Sequence, residues 1–354
     1  VGIYKTCLRY GYVPEAWQRV RVVFIPKPGK SDTSDPKAVR SICLTSFVMK
    51  GLERILDWFI RDHCLRLRPL HLSQYAYRRG VGTETALHQL VSRLEKTVID
   101  DGQMALASFT DIQGAFSNVF VHRMIECMEE AEIPDGIATW IGTMLRNRTV
   151  KTLFGGVEAE GHVQRGTPQG GVLSPLIWLM IMDVLLKRLD ELTAIYKQAW
   201  SDDLVLMVAG TDPTTLRNRM QEALRVVASW ATEMGLTLNP KKSEAVVFTL
   251  KRKWNMKPLQ LQGEVIPYKK TVKYLGLTMD DQLSWNNHVD QKCTRGIALL
   301  AQTRRIVGRT WGLHPKAMLW IYTTIIRPTL AYGVMIWGTA LERTTTVKKL
   351  EKVQ

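Results

Sequence analysis

Two adjacent carboxylates, Asp202 and Asp203, stand in the turn between two apolar stretches, 196–200 and 204–209, that read as the strands of a hairpin. Asp is a common turn former, so a plain structural turn explains the pair as readily as chemistry does. A third carboxylate, Asp111, ends another apolar stretch, Ser108-Phe109-Thr110-Asp111. A carboxylate at the end of a buried strand needs a partner, because desolvating it alone costs several kcal/mol, roughly. If the two elements lie side by side in one sheet, three carboxylates gather and repel one another unless divalent cations sit between them. Hard oxygen donors suit Mg²⁺. Two such ions ~3.5–4 Å apart serve in-line phosphoryl transfer.

A second constellation is Arg165-Gly166-Thr167-Pro168-Gln169-Gly170-Gly171-Val172-Leu173-Ser174-Pro175. A Gly/Pro loop ahead of a helix is common. This one also offers exposed backbone amides and a Gln side chain, which suits a nucleotide or template base lying against it. The seven histidines form no ligand cluster, and the five cysteines (7, 43, 64, 127 and 293) are odd in number and never in C-x-x-C spacing. A zinc module and a disulfide framework are therefore not expected, and a reducing intracellular compartment fits. The tryptophans between 285 and 337 could stack on bases, but Trp at helical spacing with Leu and Ile is more often core.

The elements that must position these residues read as follows. A strand at 20–25 ends at Pro26, a loop covers 27–35, and long helices cover 44–67 and 85–100. Then come a strand at 104–111, helices at 121–131 and 137–145, short strands at 150–154 and 162–164, and a nearly uncharged helix at 173–192. After the hairpin, Asp212 caps a helix that begins with Pro213 and stops at Gly235, and 245–250 closes the set as a strand. This order predicts an α+β sheet with helices on one face. Past 251 the chain reads as short strands near 259–278, then helices rich in Trp and basic residues from Trp285.

Charge follows the same divisions. Residues 1–100 carry a net +8, residues 101–250 a net −5, and residues 251–354 a net +12, within an overall +15. Two basic flanks around an acidic middle suggest a polyanion held from both sides, although a well-solvated basic surface would look the same. The 354 residues and 45% hydrophobic content exclude wholesale disorder. No apolar run reaches the ~18 residues of a membrane span. With no start methionine and no basic-then-apolar leader, the chain reads as a fragment of something longer.

Five ordered blocks carry a resemblance: Phe109-Thr110-Asp111 with Ala115-Phe116; Gln169-Gly170-Gly171-Val172-Leu173-Ser174-Pro175; Asp202-Asp203; Gly235-Leu236-Thr237-Leu238-Asn239-Pro240-Lys241-Lys242; and Tyr274-Leu275-Gly276. The flanks agree, with Ile25-Pro26-Lys27-Pro28-Gly29-Lys30 and Ser73-Gln74 before them and Trp311-Gly312-Leu313 after. From about residue 14 the chain resembles the reverse transcriptase domain of non-LTR (LINE-type) retrotransposons. That resemblance implies a right-hand polymerase: fingers over 1–100, with parts returning near 150–170; a ferredoxin-like palm over 101–250; a palm–thumb connection over 251–284; and a helical, truncated thumb over 285–354.

It implies an RNA-directed DNA polymerase using two Mg²⁺ ions (or Mn²⁺), with an RNA template, a DNA primer or target DNA, and dNTPs as partners. An endonuclease domain is expected in the full-length protein, and nuclear localisation with it. Carried over by position, Asp111 and Asp202 would ligate both metals, with the Ile112 backbone and Asp203 beside them. Phe116 resembles the gate against a ribose 2′-hydroxyl, Gln169 the residue against the incoming nucleotide, and Lys27 and Arg40 the contacts to its triphosphate. Lys242, with Lys241 as rival, resembles the lysine that protonates pyrophosphate. Tyr274, Leu275 and Gly276 resemble the primer grip, and Arg78, Arg79 and Gly80 the template contact.

The sequence departs from the family pattern at Ser41 (usually Pro), Ala76-Tyr77 (Gly-Phe), Ser117 (Asp) and Trp200-Ser201 (Tyr-Ala). None of these removes a metal-binding carboxylate. Competing readings are a domesticated or inactive nucleic-acid-binding domain and an intron-maturase-like RNA-binding protein; intact Asp111, Asp202 and Asp203 argue against mere binding.

Overall fold

The computed structural model describes residues 2–27, 29, 38–305 and 311–353. The loop expected over 27–35 lies, apart from Lys27 and Gly29, outside the described residues. The strands are β1 (Arg19–Pro26), β2 (Val39–Leu44), β3 (Met104–Gln113), β4 (Arg148–Phe154), β5 (Val157–Val163), β6 (Tyr196–Trp200) and β7 (Asp203–Gly210). They are followed by β8 (Thr237–Leu238), β9 (Glu244–Phe248), β10 (Leu259–Leu261), β11 (Glu264–Ile266), β12 (Tyr268–Lys269), β13 (Thr271–Tyr274) and β14 (Leu277–Asp280).

A six-stranded sheet runs β12-β9-β3-β7-β6, with β8 paired to the far end of β3. Within it, β3, β6, β7 and β9 give the 4-1-3-2 order of a split β-α-β unit, joined by the helices Val121–Glu130, Ser174–Asp190 and Pro213–Met234. The connecting helices pack on one face, against Leu106, Leu204, Leu206, Val208, Ala245 and Val247. Ala105, Ala107, Val205, Met207 and Phe248 point to the other face. That face is covered by the Thr83–Glu95 helix, the β13–β14 hairpin and the Asn286–Arg304 helix. The expectation of helices on one face therefore needs correction: the sheet is buried on both. This is why β3 shows no alternation and is buried at eight of its ten positions.

The Ser174–Asp190 helix is buried along nearly its whole length, from Leu176 to Leu186. Each such Leu, Ile or Met side chain contributes about 1.5–3 kcal/mol of burial. Asp183 is tolerated there because the His71 amide donates to its Oδ1 at 2.5 Å and Lys187 pairs with Oδ2 at 2.7 Å. Asp212 caps the next helix by accepting from the Thr215 amide at 2.7 Å, a bond worth ~1 kcal/mol. Gly235 closes that helix at φ +75°, where a Cβ would meet the Phe120 ring at 2.5 Å.

A second sheet, β2-β1-β4-β5, combines the N-terminal strands with the hairpin at 148–163, so the chain returns to its first sheet midway. The helix expected over 44–67 begins only at Phe47, and the residues ahead of it form β2. That strand is only partly buried and carries Arg40 and Ser41, so no apolar period marks it. Strand β5 is almost wholly exposed, and it starts at Val157 rather than 162 for the same reason. Among the described residues no helix is long and apolar enough to cross a membrane.

Candidate active site

Antiparallel register sets Asp111, near the end of β3, directly opposite Asp203, the first residue of β7. Opposed side chains in such a pair lie within about 4.5–5.5 Å at Cβ, and like charges there are destabilising. Asp202 is exposed in the turn before them. Although the Asp203 side chain reaches solvent, neighbouring groups crowd it. Desolvation, then the charges of Asp202 and Asp111, push its pKa up from 3.8 to about 6. Like-charge crowding of this kind is what a bound cation relieves, so the donors suit a hard divalent ion. The gathering is looser than the expected trio: among the described residues no three His, Cys, Asp or Glu side chains converge as ligands. Asp203, given the lesser role from sequence, is the one that the register brings to Asp111.

The Asp111 main chain is pinned by the turn before β9. Asn239 N donates to Asp111 O at 3.1 Å, Asp111 N donates to Ser243 Oγ at 3.2 Å, and that hydroxyl donates to Asn239 O at 2.8 Å. The same turn carries Lys242, whose Nζ lies 3.8 Å from Asp111 Oδ2. Lys242 is mostly exposed, so this ion pair contributes at most about 1 kcal/mol. Of the two lysines, Lys242 rather than Lys241 reaches the carboxylate. Ile112, buried, pairs with Leu238 of β8.

The hairpin turn is held from beneath. Ser201 has a positive φ of 55°, and its carbonyl accepts from Trp178 Nε1 at 2.8 Å. The Trp178 ring also lies 6.0 Å from that of Phe116, which is half-buried beyond the end of β3. Phe116 O accepts from Thr167 N at 2.6 Å, and Gln169 O accepts from Cys43 N of β2 at 2.7 Å. The structure thus joins Phe116, Gln169 and the strand that carries Arg40 through one loop. Arg40 is exposed and stands opposite Ile25 in register, and Lys27 N donates to Ala38 O at 2.8 Å.

The remaining candidates differ in availability. Arg78 is spent on its own segment, donating from Nη1 to Gln74 O at 2.8 Å and Leu72 O at 3.3 Å, whereas Arg79 and Gly80 are exposed. Tyr274 is buried, its hydroxyl accepting from Gln198 Nε2 at 3.0 Å and its ring 5.5 Å from Phe109. It lines a cavity of ≈ 110 Å³ together with Asp111, Asp203 and Lys242. Leu275 (φ 44°) and Gly276 (φ 81°) form the turn beyond it, and Tyr332 OH donates to Leu275 O at 2.7 Å. Sequence reasoning missed Ser243 and Trp178. The first reads as one more turn residue after two lysines, and the second as core in an apolar helix.

The family model described as reverse transcriptase (RNA-dependent DNA polymerase) matches residues 25–279. The chain is 28% identical over its full length to a 115 kDa protein assigned to the type-1 retrotransposable element R1DM of Drosophila melanogaster, covering 34% of that protein. It is 24% identical over 96% of its length to the RNA-directed DNA polymerase from mobile element jockey of the same organism, covering 37% of it. The chain therefore spans about a third of the length of these curated relatives. Among solved structures, telomerase from Candida tropicalis in complex with a TWJ fragment of telomeric RNA shares the fold, with a TM-score of 0.52 at 10% identity, over 100% of this chain and 58% of that one. The architecture is that of a right-hand polymerase, and the chain belongs to the reverse transcriptase (RNA-dependent DNA polymerase) family, in its non-LTR retrotransposon form.

Proposed function

We propose that this chain extends a DNA primer on an RNA template, as the polymerase part of a target-primed retrotransposition protein. The observation that carries the reading is the register of Asp111 against Asp203, with Asp202 in the adjoining turn and Lys242 beside Asp111. Asp111, Asp202 and Asp203, with the Ile112 carbonyl, hold the divalent ions. Two Mg²⁺ ions, or Mn²⁺ in their place, supply Lewis-acid polarisation and charge neutralisation for in-line phosphoryl transfer. Lys242 holds a proton at Nζ for the departing pyrophosphate. Phe116 bounds the sugar, Gln169 lies against the incoming dNTP, and Lys27 and Arg40 take its triphosphate. Leu275 and Gly276 hold the primer end from the β13–β14 turn with Tyr274 bracing them from the core, while Arg79 and Gly80, steadied by Arg78, follow the template.

In this reading residues 1–82 and the β4–β5 hairpin are fingers, the six-stranded sheet with its helices is palm, the β13–β14 turn is the primer grip, and the helices from Asn286 are thumb. Thr83–Glu95 goes with the palm because it packs under that sheet. An endonuclease elsewhere in the whole protein and a nuclear site of action complete the proposal. The test is primer extension on an RNA template with dNTPs and Mg²⁺. Wild type extends, while Asp111→Asn and Asp202→Asn do not, although both still bind template–primer. Extension by either variant at the wild-type rate removes the assignment, and a wild type that binds but never extends leaves a nucleic-acid-binding domain.

A further inference from the structure

Two buried charges outside the assigned site hold the loop that carries Gln169. Arg148, at the start of β4, is 4% exposed. It donates from Nε to Leu145 O at 3.0 Å and from Nη2 to Arg165 O at 2.7 Å and Gly166 O at 2.5 Å. Burial pulls its pKa down to about 10. Glu53, on the Phe47–Phe59 helix, is fully buried and accepts the Val172 amide at Oε2, 3.1 Å away. Its Oε1 has no partner among the described residues.

A hydrophobic pair would fill the same volume without the desolvation cost of two charges. What the charges add is direction: a rigid guanidinium fixed on three carbonyls, and a carboxylate fixed on one amide. Between these anchors and just beyond them, further hydrogen bonds hold the loop. Gly166 N donates to Val119 O at 2.8 Å, Thr167 N to Phe116 O at 2.6 Å, and Ser174 Oγ to Pro168 O at 2.8 Å. Gly166 has φ +64°, and a Cβ there would sit 2.4 Å from Phe116 O, so the loop and the Phe116 segment are in main-chain contact.

We propose that Glu53 and Arg148 are positioning residues for nucleotide selection: they hold the 165–172 loop at its two ends, so that Gln169 and Phe116 bound a slot of fixed width for a deoxynucleoside triphosphate. This rests on the polymerase reading above. The carboxylate and guanidinium touch neither substrate nor metal; they act through the loop.

Single-nucleotide incorporation and amide hydrogen exchange test it together, on Glu53→Leu, Glu53→Gln, Arg148→Met and Arg148→Lys. Loss of a hydrogen bond to a charged group should raise KM for dATP about tenfold in Glu53→Leu and Arg148→Met, with kcat little changed. Discrimination against ATP should fall with it, and Glu53→Gln, which keeps an acceptor for the Val172 amide, should rescue both. Exchange should quicken over 165–173 and stay unchanged in the central sheet. KM within twofold of wild type in both disruptive variants overturns the proposal, as does exchange that quickens throughout the sheet. If Arg148→Met prevents folding, Arg148→Lys decides, since an ammonium has its donors on one atom and lacks the rigid fork that reaches Leu145 O from Nε and Arg165 O and Gly166 O from Nη2: an unchanged KM there is equally fatal. A wild type that extends no primer refutes the polymerase reading instead, and the exchange data, taken without substrate, still decide whether the loop is tethered.

Discussion

Replacing Asp203 by Asn should make the metal-free protein more stable. Asp203 stands opposite Asp111 across β3 and β7 and follows Asp202, and its pKa is raised from 3.8 to about 6, first by desolvation and then by those two charges. A rise of about two units corresponds to about 3 kcal/mol of disfavoured ionisation. Because the side chain reaches solvent, screening reduces this to about 1 kcal/mol. With the folded pKa above the unfolded one, the native state binds the proton more tightly. Stability therefore falls as pH rises from about 4 to about 6, and the full penalty stands above that. Asn abolishes the titration. Urea denaturation in EDTA should show Asp203→Asn more stable than wild type by about 1 kcal/mol at pH 7.5, with the gain shrinking towards pH 4. Excess Mg²⁺ should reverse the order, because only wild type retains the full carboxylate set; saturation at about 100 Kd would add ~2.7 kcal/mol. A variant less stable than wild type at pH 7.5 in EDTA, or a gain that ignores pH, would refute the like-charge argument.

Three further outcomes follow from the same geometry. Ser243→Ala removes both the acceptor for Asp111 N and the donor to Asn239 O, so kcat for extension should drop about tenfold with a small change in melting temperature; an unchanged kcat would mean that the turn does not hold Asp111. Phe116→Val should raise the ATP-to-dATP ratio of kcat/KM by about tenfold, or ~1.4 kcal/mol, in single-nucleotide incorporation, and an unchanged ratio in a folded, active variant returns Phe116 to the packing around Trp178. Binding to template–primer should weaken with salt by about 0.9 log units per phosphate neutralised for each tenfold rise, and Glu at Lys251, Arg252 and Lys253 should flatten the slope; a salt-independent affinity removes the two-sided basic grip.

Most of the central unit was legible because its elements carry strong local signals. The β6 strand falls at 196–200 as read, and Asp212, Pro213 and Gly235 mark the ends of their helix by cap chemistry alone. What sequence could not show is pairing. The turn that carries Lys242 meets Asp111 through Ser243, 132 residues away along the chain, and neither residue announces the other. β2 was lost because an edge strand with half-exposed Arg and Ser has no apolar period, and a helix pattern beginning nearby absorbed its last residue. Glu53 and Arg148 were given no role for the opposite reason. A charged residue on a predicted helix, or in the connection ahead of a predicted strand, reads as solvated, and only burial exposes the cost that makes it informative.

The departures from the family pattern show the same limit from another side. Tyr77 and Ser201 stand where Phe and Ala are usual, and taken singly each introduces a hydroxyl near the catalytic turn without a stated use. In the structure they are 3.1 Å apart, hydroxyl to hydroxyl. Both adopt positive φ, 56° and 55°, a conformation that costs free energy and persists only where neighbours enforce it. Those neighbours are identifiable. Arg61 Nη1 donates to Tyr77 O at 3.1 Å, Trp178 Nε1 donates to Ser201 O, and the 73–75 segment hydrogen-bonds to Ala199 along β6. The two substitutions therefore form one contact between the N-terminal segment and the turn bearing Asp202, not two separate losses. Each hydroxyl can satisfy the other, and because the pair is exposed, water replaces either partner when one is removed, so a change at either position costs little stability. Two departures that look unrelated in a linear sequence are, in three dimensions, one hydroxyl-to-hydroxyl contact, in a chain whose register still sets Asp111 opposite Asp203 with Asp202 in the adjoining turn.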